Sequence, residues 1–182
     1  VLGTSDRNED NGAETAQGEP EEQVAGIWGK PDYLCDVMKN VGLNTSGSNG
    51  YTEGASGLHM CYARKMLTER TEASGYMENS MEYLVMGYSP ARVDSVRFDM
   101  WTEALGQAEQ DRLRLMSHAS ALMETAFDRD FPGEVERMIR ENETGTWSGE
   151  DLRITVKQEP FREESELDGE TYELVIQPAS GQ

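Results

Sequence analysis

The stretch Glu82-Tyr-Leu-Val-Met-Gly-Tyr88, its turn at Ser89-Pro90, and the return Arg92-Val-Asp-Ser-Val-Arg-Phe-Asp-Met-Trp101 decide the fold class. In the return arm Val96, Phe98 and Met100 alternate with Ser95, Arg97 and Asp99, the two-residue period of a half-buried strand. Pro90 fixes its own φ and keeps Ser89 out of the helical region, so the two arms are expected to form a hairpin. Beyond it the period changes. Leu105, Ala108, Leu115, Ala119, Leu122 and Ala126 follow steps of three and four, with Arg112 counted in the row. Met116 and Met123 widen the stripe, while Glu103, Glu109, Asp111 and Arg114 fall on wetter sides. A long amphipathic helix follows from that spacing.

Working outward, Asp32 can cap a helix reaching Asn40, with Leu34, Val37, Met38 and Val41 as its apolar face, Cys35 beside it and Gly42 as its stop. Asn44 to Gly57 reads as a loop with room for a short strand near Leu43 or Tyr51, and Gly57 to Lys65 as a strand carrying Cys61. Thr68 to Ser80 is a polar connection. A short helix is expected at about 133–142, with Val135, Met138 and Ile139 inward, then a turn-rich link from Thr144 to Gly149. Leu152, Ile154 and Val156 alternate with polar neighbours, as do Tyr172, Leu174 and Ile176, which predicts a closing hairpin ended by Pro178. Glu159 to Gly169 would be its long tip. The expected architecture is α+β, an antiparallel or mixed sheet of about 4–6 strands with one long and two short helices packed on it. Residues 1–25 read as an acidic disordered tail, 26–178 as a single domain and 179–182 as a C-terminal tail.

The 182 residues include 35 acids against 16 lysines and arginines, a net charge of −19. Such a balance disfavours contact with nucleic-acid phosphates or anionic membranes, and it suits a saline or extracellular setting as well as it suits a protein that docks a basic partner. No apolar run approaches the roughly 20 residues that span a bilayer. The chain begins at Val1 rather than Met, which reads as the mark of a removed segment, a signal peptide or pro-segment among the candidates. Cys35 and Cys61 are the two cysteines. Paired, they would place the protein in an oxidising compartment; two buried thiols are the alternative.

Motifs for chemistry are scarce. Asp6 to Gln17 opens like a calcium loop, but its glycine is one place late and Gln17 stands where a bidentate Glu belongs. His59 and His118 are the only histidines, with no CxxC or HExxH around them, so no metal site or cofactor is expected. Ser117 and His118 are adjacent on a helix and cannot face each other as nucleophile and base. No phosphate-cradling glycine loop or nucleophile elbow occurs. An enzyme is therefore not expected. The ten methionines follow the apolar faces and read as core filling. Asn44 and Asn142 begin glycosylation sequons.

Four pieces, Cys35-Asp-Val-Met38, Met60-Cys61-Tyr62, the strand from Val93 to Trp101, and Gly169-Glu-Thr-Tyr172-Glu-Leu-Val-Ile176, follow one another in a layout that spans about residues 31–177. That layout resembles a class of small bacterial envelope or secreted α+β proteins with one disulfide. The resemblance implies a fold and an extracytoplasmic location (periplasm, cell surface or medium), and it brings no activity with it.

The expected function is accordingly contact: a non-enzymatic extracytoplasmic subunit or accessory of a surface or envelope assembly. The open edges of the two hairpins offer strand pairing, and Trp28 and Trp147 are candidate anchors. The alternative is an acidic decoy that occupies a basic, nucleic-acid-binding site on a partner. Glu163, Glu164, Glu166 and Asp168 would then be the centre of a phosphate-like row running from Glu159 to Glu173. An enzyme of unrecognised type is the third possibility.

Overall fold

The computed structural model describes residues 26–41, 43, 50–68, 79–103, 105–162 and 168–179. Among these residues seven strands form one antiparallel sheet: β1 (Thr52–Glu53), β2 (His59–Thr68), β3 (Asn79–Gly87), β4 (Ser95–Thr102), β5 (Gly145–Ser148), β6 (Leu152–Arg162) and β7 (Asp168–Pro178). Their order is β1-β2-β3-β4-β7-β6-β5. Two meanders, β2-β3-β4 and β5-β6-β7, thus meet where β4 pairs with β7. Among the described residues three α-helices, α1 (Pro31–Val37), α2 (Ala108–Phe127) and α3 (Gly133–Glu141), accompany the sheet.

Register explains which face the helices cover. Cys61, Val85, Val96, Ile176, Ile154 and Trp147 stand in one row across the sheet. Ala63, Tyr83, Phe98, Leu174, Val156 and Gly145 form the next. Nearly all are buried, and with Leu115, Ala119, Leu122 and Met123 of α2 and Val135 and Ile139 of α3 they make a continuous core. Each fully buried Val, Leu, Ile, Met or Phe side chain contributes about 1.5–3 kcal/mol. Tyr83 stacks at a tilt on Phe98, 5.2 Å between centroids, and its hydroxyl donates to the Leu34 carbonyl at 2.8 Å. That bond satisfies a buried phenol and fastens α1 to the sheet. Beside it Cys35 of α1 and Cys61 of β2 are joined in a disulfide, with Cα atoms 6.0 Å apart. Gly145 has its own reason: a Cβ there would press on the Met138 sulfur at 2.9 Å.

Helix ends follow local chemistry. Pro31 is the first residue of α1, where its missing N–H costs nothing, and Asp32 sits inside the first turn rather than capping it. The chain leaves α2 through Asp128 at φ 52° and α3 through Asn142 at φ 61°, residue types that tolerate the left-handed conformation.

Four further expectations are corrected. The sheet has seven strands, because the two-residue β1 and the β5 strand through Trp147 extend it at both edges. The link expected from Thr144 to Gly149 is therefore largely strand, held by β6. The closing hairpin zips as far as Arg162 opposite Asp168, so most of the expected Glu159–Gly169 tip is ladder. Asp111 is fully buried instead of wet. Its Oδ2 accepts from Asn79 Nδ2 at 2.6 Å and its Oδ1 from Arg114 at 3.0 Å, while Asn79 Oδ1 accepts the Glu103 N–H at 2.9 Å. This polar latch ties the first turn of α2 to the end of the sheet. The acidic tail, the calcium-like stretch and the Asn44 sequon lie outside the described residues, as do 180–182; Ala179 donates its N–H to the Asp151 carbonyl.

Candidate functional site

The opposite parity of every strand builds the second face of the sheet, on which no described element packs. It has four rows. Met66, Ser80, Trp101, Thr171 and Glu159 form the first, and Arg64, Glu82, Asp99, Glu173 and Lys157 the second. Tyr62, Leu84, Arg97, Val175, Thr155 and Thr146 form the third. Met60, Met86 and Ser95 begin the fourth. Antiparallel sheets commonly leave one face to solvent, and such faces are ordinarily polar. Here the β2–β3 side is not: Tyr62 and Met66 are each 42% exposed, with Met60, Met86 and Leu84 beside them. Met60, Tyr62, Met66 and Leu84, together with Arg64 and Glu82, line a shallow groove of about 510 Å³.

Toward β7 and β6 the face becomes ionic. Arg97 places one guanidinium nitrogen 2.5 Å from Asp99 Oδ2 and another 3.2 Å from Glu173 Oε2. The other oxygen of Glu173 takes the Lys157 ammonium at 2.6 Å. Arg64 and Glu82 approach to 3.8 Å. Asp99 is only 7% exposed, and burial raises its carboxyl above the usual range; Arg97 opposes that shift, and Glu173 and Glu82 add to it. Asp99 Oδ1 and Arg97 Nε are buried and take no hydrogen bond. Acids and bases nearly balance on this face, although the whole chain carries −19.

The edges differ in cover. β1 pairs only with His59 and Met60, so among the described residues β2 has no strand on its outer side from Cys61 to Thr68. β5 pairs with β6 from Arg153 to Val156. The open-edge expectation therefore finds its longest stretch on β2, where the apolar groove also lies.

The residues singled out in the sequence are dispersed. Trp28 is half-buried beside Phe127, 5.3 Å between rings, and its carbonyl accepts the Val93 N–H. Trp147 is half-buried against the helix side of the sheet. Both indoles serve the interior. Glu163, Glu164 and Glu166 lie outside the described residues, and Asp168 opens β7. Strand alternation splits the acidic row: Glu159 and Glu173 are on the open face, whereas Glu170 turns to the helix side, 3.9 Å from Arg112. His118 donates from Nδ1 to the Arg114 carbonyl, and burial, helped by Lys65, lowers its pKa. Among the described residues no three His, Cys, Asp or Glu side chains converge as metal ligands.

Alternation identifies the buried side of each strand, so the open face as a surface is not legible in the sequence, although Glu159 and Glu173, which bound the acidic row, both lie on it. One signal was available. Trp101 has the same parity as Arg97 and Asp99, and Tyr62 and Met66 the same parity as Arg64, so both "polar" sides carry large apolar groups. No known family model matches the chain, and no curated protein or solved structure compared with it does either.

Proposed function

We propose that the chain is an extracytoplasmic protein that works by contact, a subunit or accessory of a surface or envelope assembly, and that it binds its protein partner through the open face of the sheet. The observation that carries this reading is the β2–β3 groove: two side chains each 42% exposed, Tyr62 and Met66, at the rim of a strand edge that no other strand among the described residues pairs beyond Met60. Contiguous exposed apolar surface of this kind is the usual mark of an interaction site, and tyrosine is a favoured anchor. The Cys35–Cys61 disulfide supports an oxidising compartment. Among the described residues no helix is long and apolar enough to cross a membrane.

The test is co-purification from the cells that make the protein, comparing the tagged natural chain with Tyr62→Arg and Leu113→Arg. Leu113, 37% exposed on α2, is the control. Tyr62→Arg is expected to lose a stoichiometric partner by about tenfold or more, the scale of a 1.4 kcal/mol loss, while Leu113→Arg keeps it. Equal retention by both variants, or a chain that travels alone, would overturn the proposal.

A further inference from the structure

Backbone direction along β2 follows from two hydrogen bonds. In an antiparallel ladder the N–H and C=O of one residue point to the same neighbour, and those of the next residue point to the other side. The Leu58 carbonyl accepts the Gly54 N–H across the β1–β2 turn. The Met86 carbonyl, opposite Met60, turns away from β2 to the Asp94 N–H. In step with Leu58 and Met60, therefore, Tyr62, Arg64 and Met66 turn their backbone groups outward, and Cys61, Ala63 and Lys65 turn theirs to β3. Met60 meets Thr52 of β1, but at Tyr62 and Met66 no strand among the described residues takes up those outward groups. The slot is bounded. β1 closes one end, and at the other the register shifts between Met66 and Thr68, where Arg114 holds the Leu67 carbonyl at 3.2 Å.

Charge says what fits there. Among the described strands β2 alone carries basic residues, Arg64 and Lys65, and no acid, although the chain's net charge is −19. Arg64 projects on the open face between Tyr62 and Met66, with its side chain 48% exposed and 3.8 Å from Glu82. Lys65 projects on the helix side, half-buried beside His118, and makes no ion pair among the described residues. Two β2 edges set against each other would crowd these cations together, which disfavours a second copy of the chain. Carboxylates at the facing positions are favoured by the same charges. Tyr62 and Met66, each 42% exposed, call for apolar side chains opposite them.

We propose that β2 takes up an extended acidic segment of the protein partner as an added antiparallel strand over residues 61–66. Apolar side chains of the segment lie opposite Tyr62 and Met66, and carboxylates opposite Arg64 and Lys65. Read from its N-terminus, such a segment is apolar, acidic, acidic, small, apolar. Antiparallel pairing is the stronger kind and the one used throughout this sheet. The proposal rests on the docking reading above and names how the partner is held: the ladder gives affinity and the alternate side chains give selectivity.

The experiment is a titration of the full ¹⁵N-labelled chain with the end-blocked peptide Ser-Val-Glu-Glu-Thr-Val-Ser, followed by amide resonances. The Tyr62 and Met66 amides are expected to shift saturably and to gain protection from hydrogen exchange, and added salt should weaken binding. N-methylation of the second glutamate, whose N–H faces β2 in this register, should weaken binding about tenfold or more. N-methylation of the first, whose N–H faces away, should leave it within about twofold. In the chain, Met66→Pro removes an outward N–H where an edge strand tolerates proline, and should cost about tenfold or more in affinity; Lys65→Glu should cost about fivefold. The proposal falls if no saturable shift occurs at Tyr62 and Met66, if Ser-Val-Lys-Lys-Thr-Val-Ser binds as well, or if the two N-methylated peptides bind alike. A concentration-dependent dimer that Met66→Pro abolishes would give the edge to a second copy and overturn it too. In the co-purification, a partner lost by Tyr62→Arg but kept by Met66→Pro leaves docking standing and removes strand addition. Peptide binding by a chain that co-purifies with nothing does the reverse.

Discussion

Replacing Asp111 by Ala tests how the long helix is anchored. The carboxylate is 0% exposed and accepts from Asn79 and Arg114 in the first turn of α2. The bond from Asn79, to a buried charged acceptor, contributes about 1.5–3 kcal/mol. Arg114 is 40% exposed, so its ion pair adds only about 0.2–1 kcal/mol after solvent screening. A negative charge in the first turn adds about 0.3–1 kcal/mol through the helix dipole. Relief from desolving the carboxylate offsets part of this. A net loss of about 3 kcal/mol is expected for Asp111→Ala, and about 1 kcal/mol for Asp111→Asn, which keeps an acceptor in place. The assay is urea unfolding of both variants, of Asn79→Ala and of the double mutant. A coupling energy above about 1 kcal/mol is expected between the two positions. A cost below about 0.5 kcal/mol for Asp111→Ala, with additive single mutants, would show that the side chain is hydrated and the latch is not formed.

Other expectations follow from single contacts. Removing the disulfide by Cys35→Ala with Cys61→Ala frees a loop with a sequence separation of 26, worth about 3–4 kcal/mol on the chain-entropy model, readable as a lower urea midpoint. Gly87→Ala should cost about 1–3 kcal/mol in the same assay, since a Cβ there runs into the Arg92 carbonyl and the Tyr51 hydroxyl. Asp99 titrates higher in the folded state than in the unfolded chain, so its ionisation opposes folding. That penalty is absent below the unfolded carboxyl pKa of about 3.9 and is complete once the pH has risen through the folded pKa. Asp99→Asn should therefore raise the melting temperature, relative to the natural chain, more at pH 7 than at pH 3; an equal difference at both would contradict the burial.

Strand periodicity made the central hairpin legible, since Val96, Phe98 and Met100 are all fully buried as their alternation requires. The long helix and the inward residues of α3 were equally plain. Of the edge strands, the two-residue β1 lies beside Tyr51, where a short strand was expected, whereas β5 was hidden because Gly-Thr-Trp-Ser offers one large apolar side chain in four residues. These pieces are strands only because β2 and β6 offer them a ladder. Asp111 is hidden for a related reason: a row that counts Arg112 as a member makes an acid beside it look wet, and its burial depends on Arg114 together with Asn79, 32 residues earlier. The candidate site was hidden by the same logic. Alternation says which side of a strand is buried first, but the meaning of the other side depends on which strands lie next to it. Tyr62 and Leu84 become neighbours through β2–β3 pairing, and Asp99 meets Glu173 through a β4–β7 pairing across 74 residues of sequence.

The most direct test of the contact face is a positional scan with a genetically encoded photo-cross-linker in the producing cell. Positions 62, 66 and 84 sample the groove, and positions 109, 113 and 124 the exposed side of α2. Docking through the open sheet predicts that the groove positions yield one discrete cross-linked species and the helix positions none. Cross-links spread equally over both sets, or confined to the helix, would contradict it.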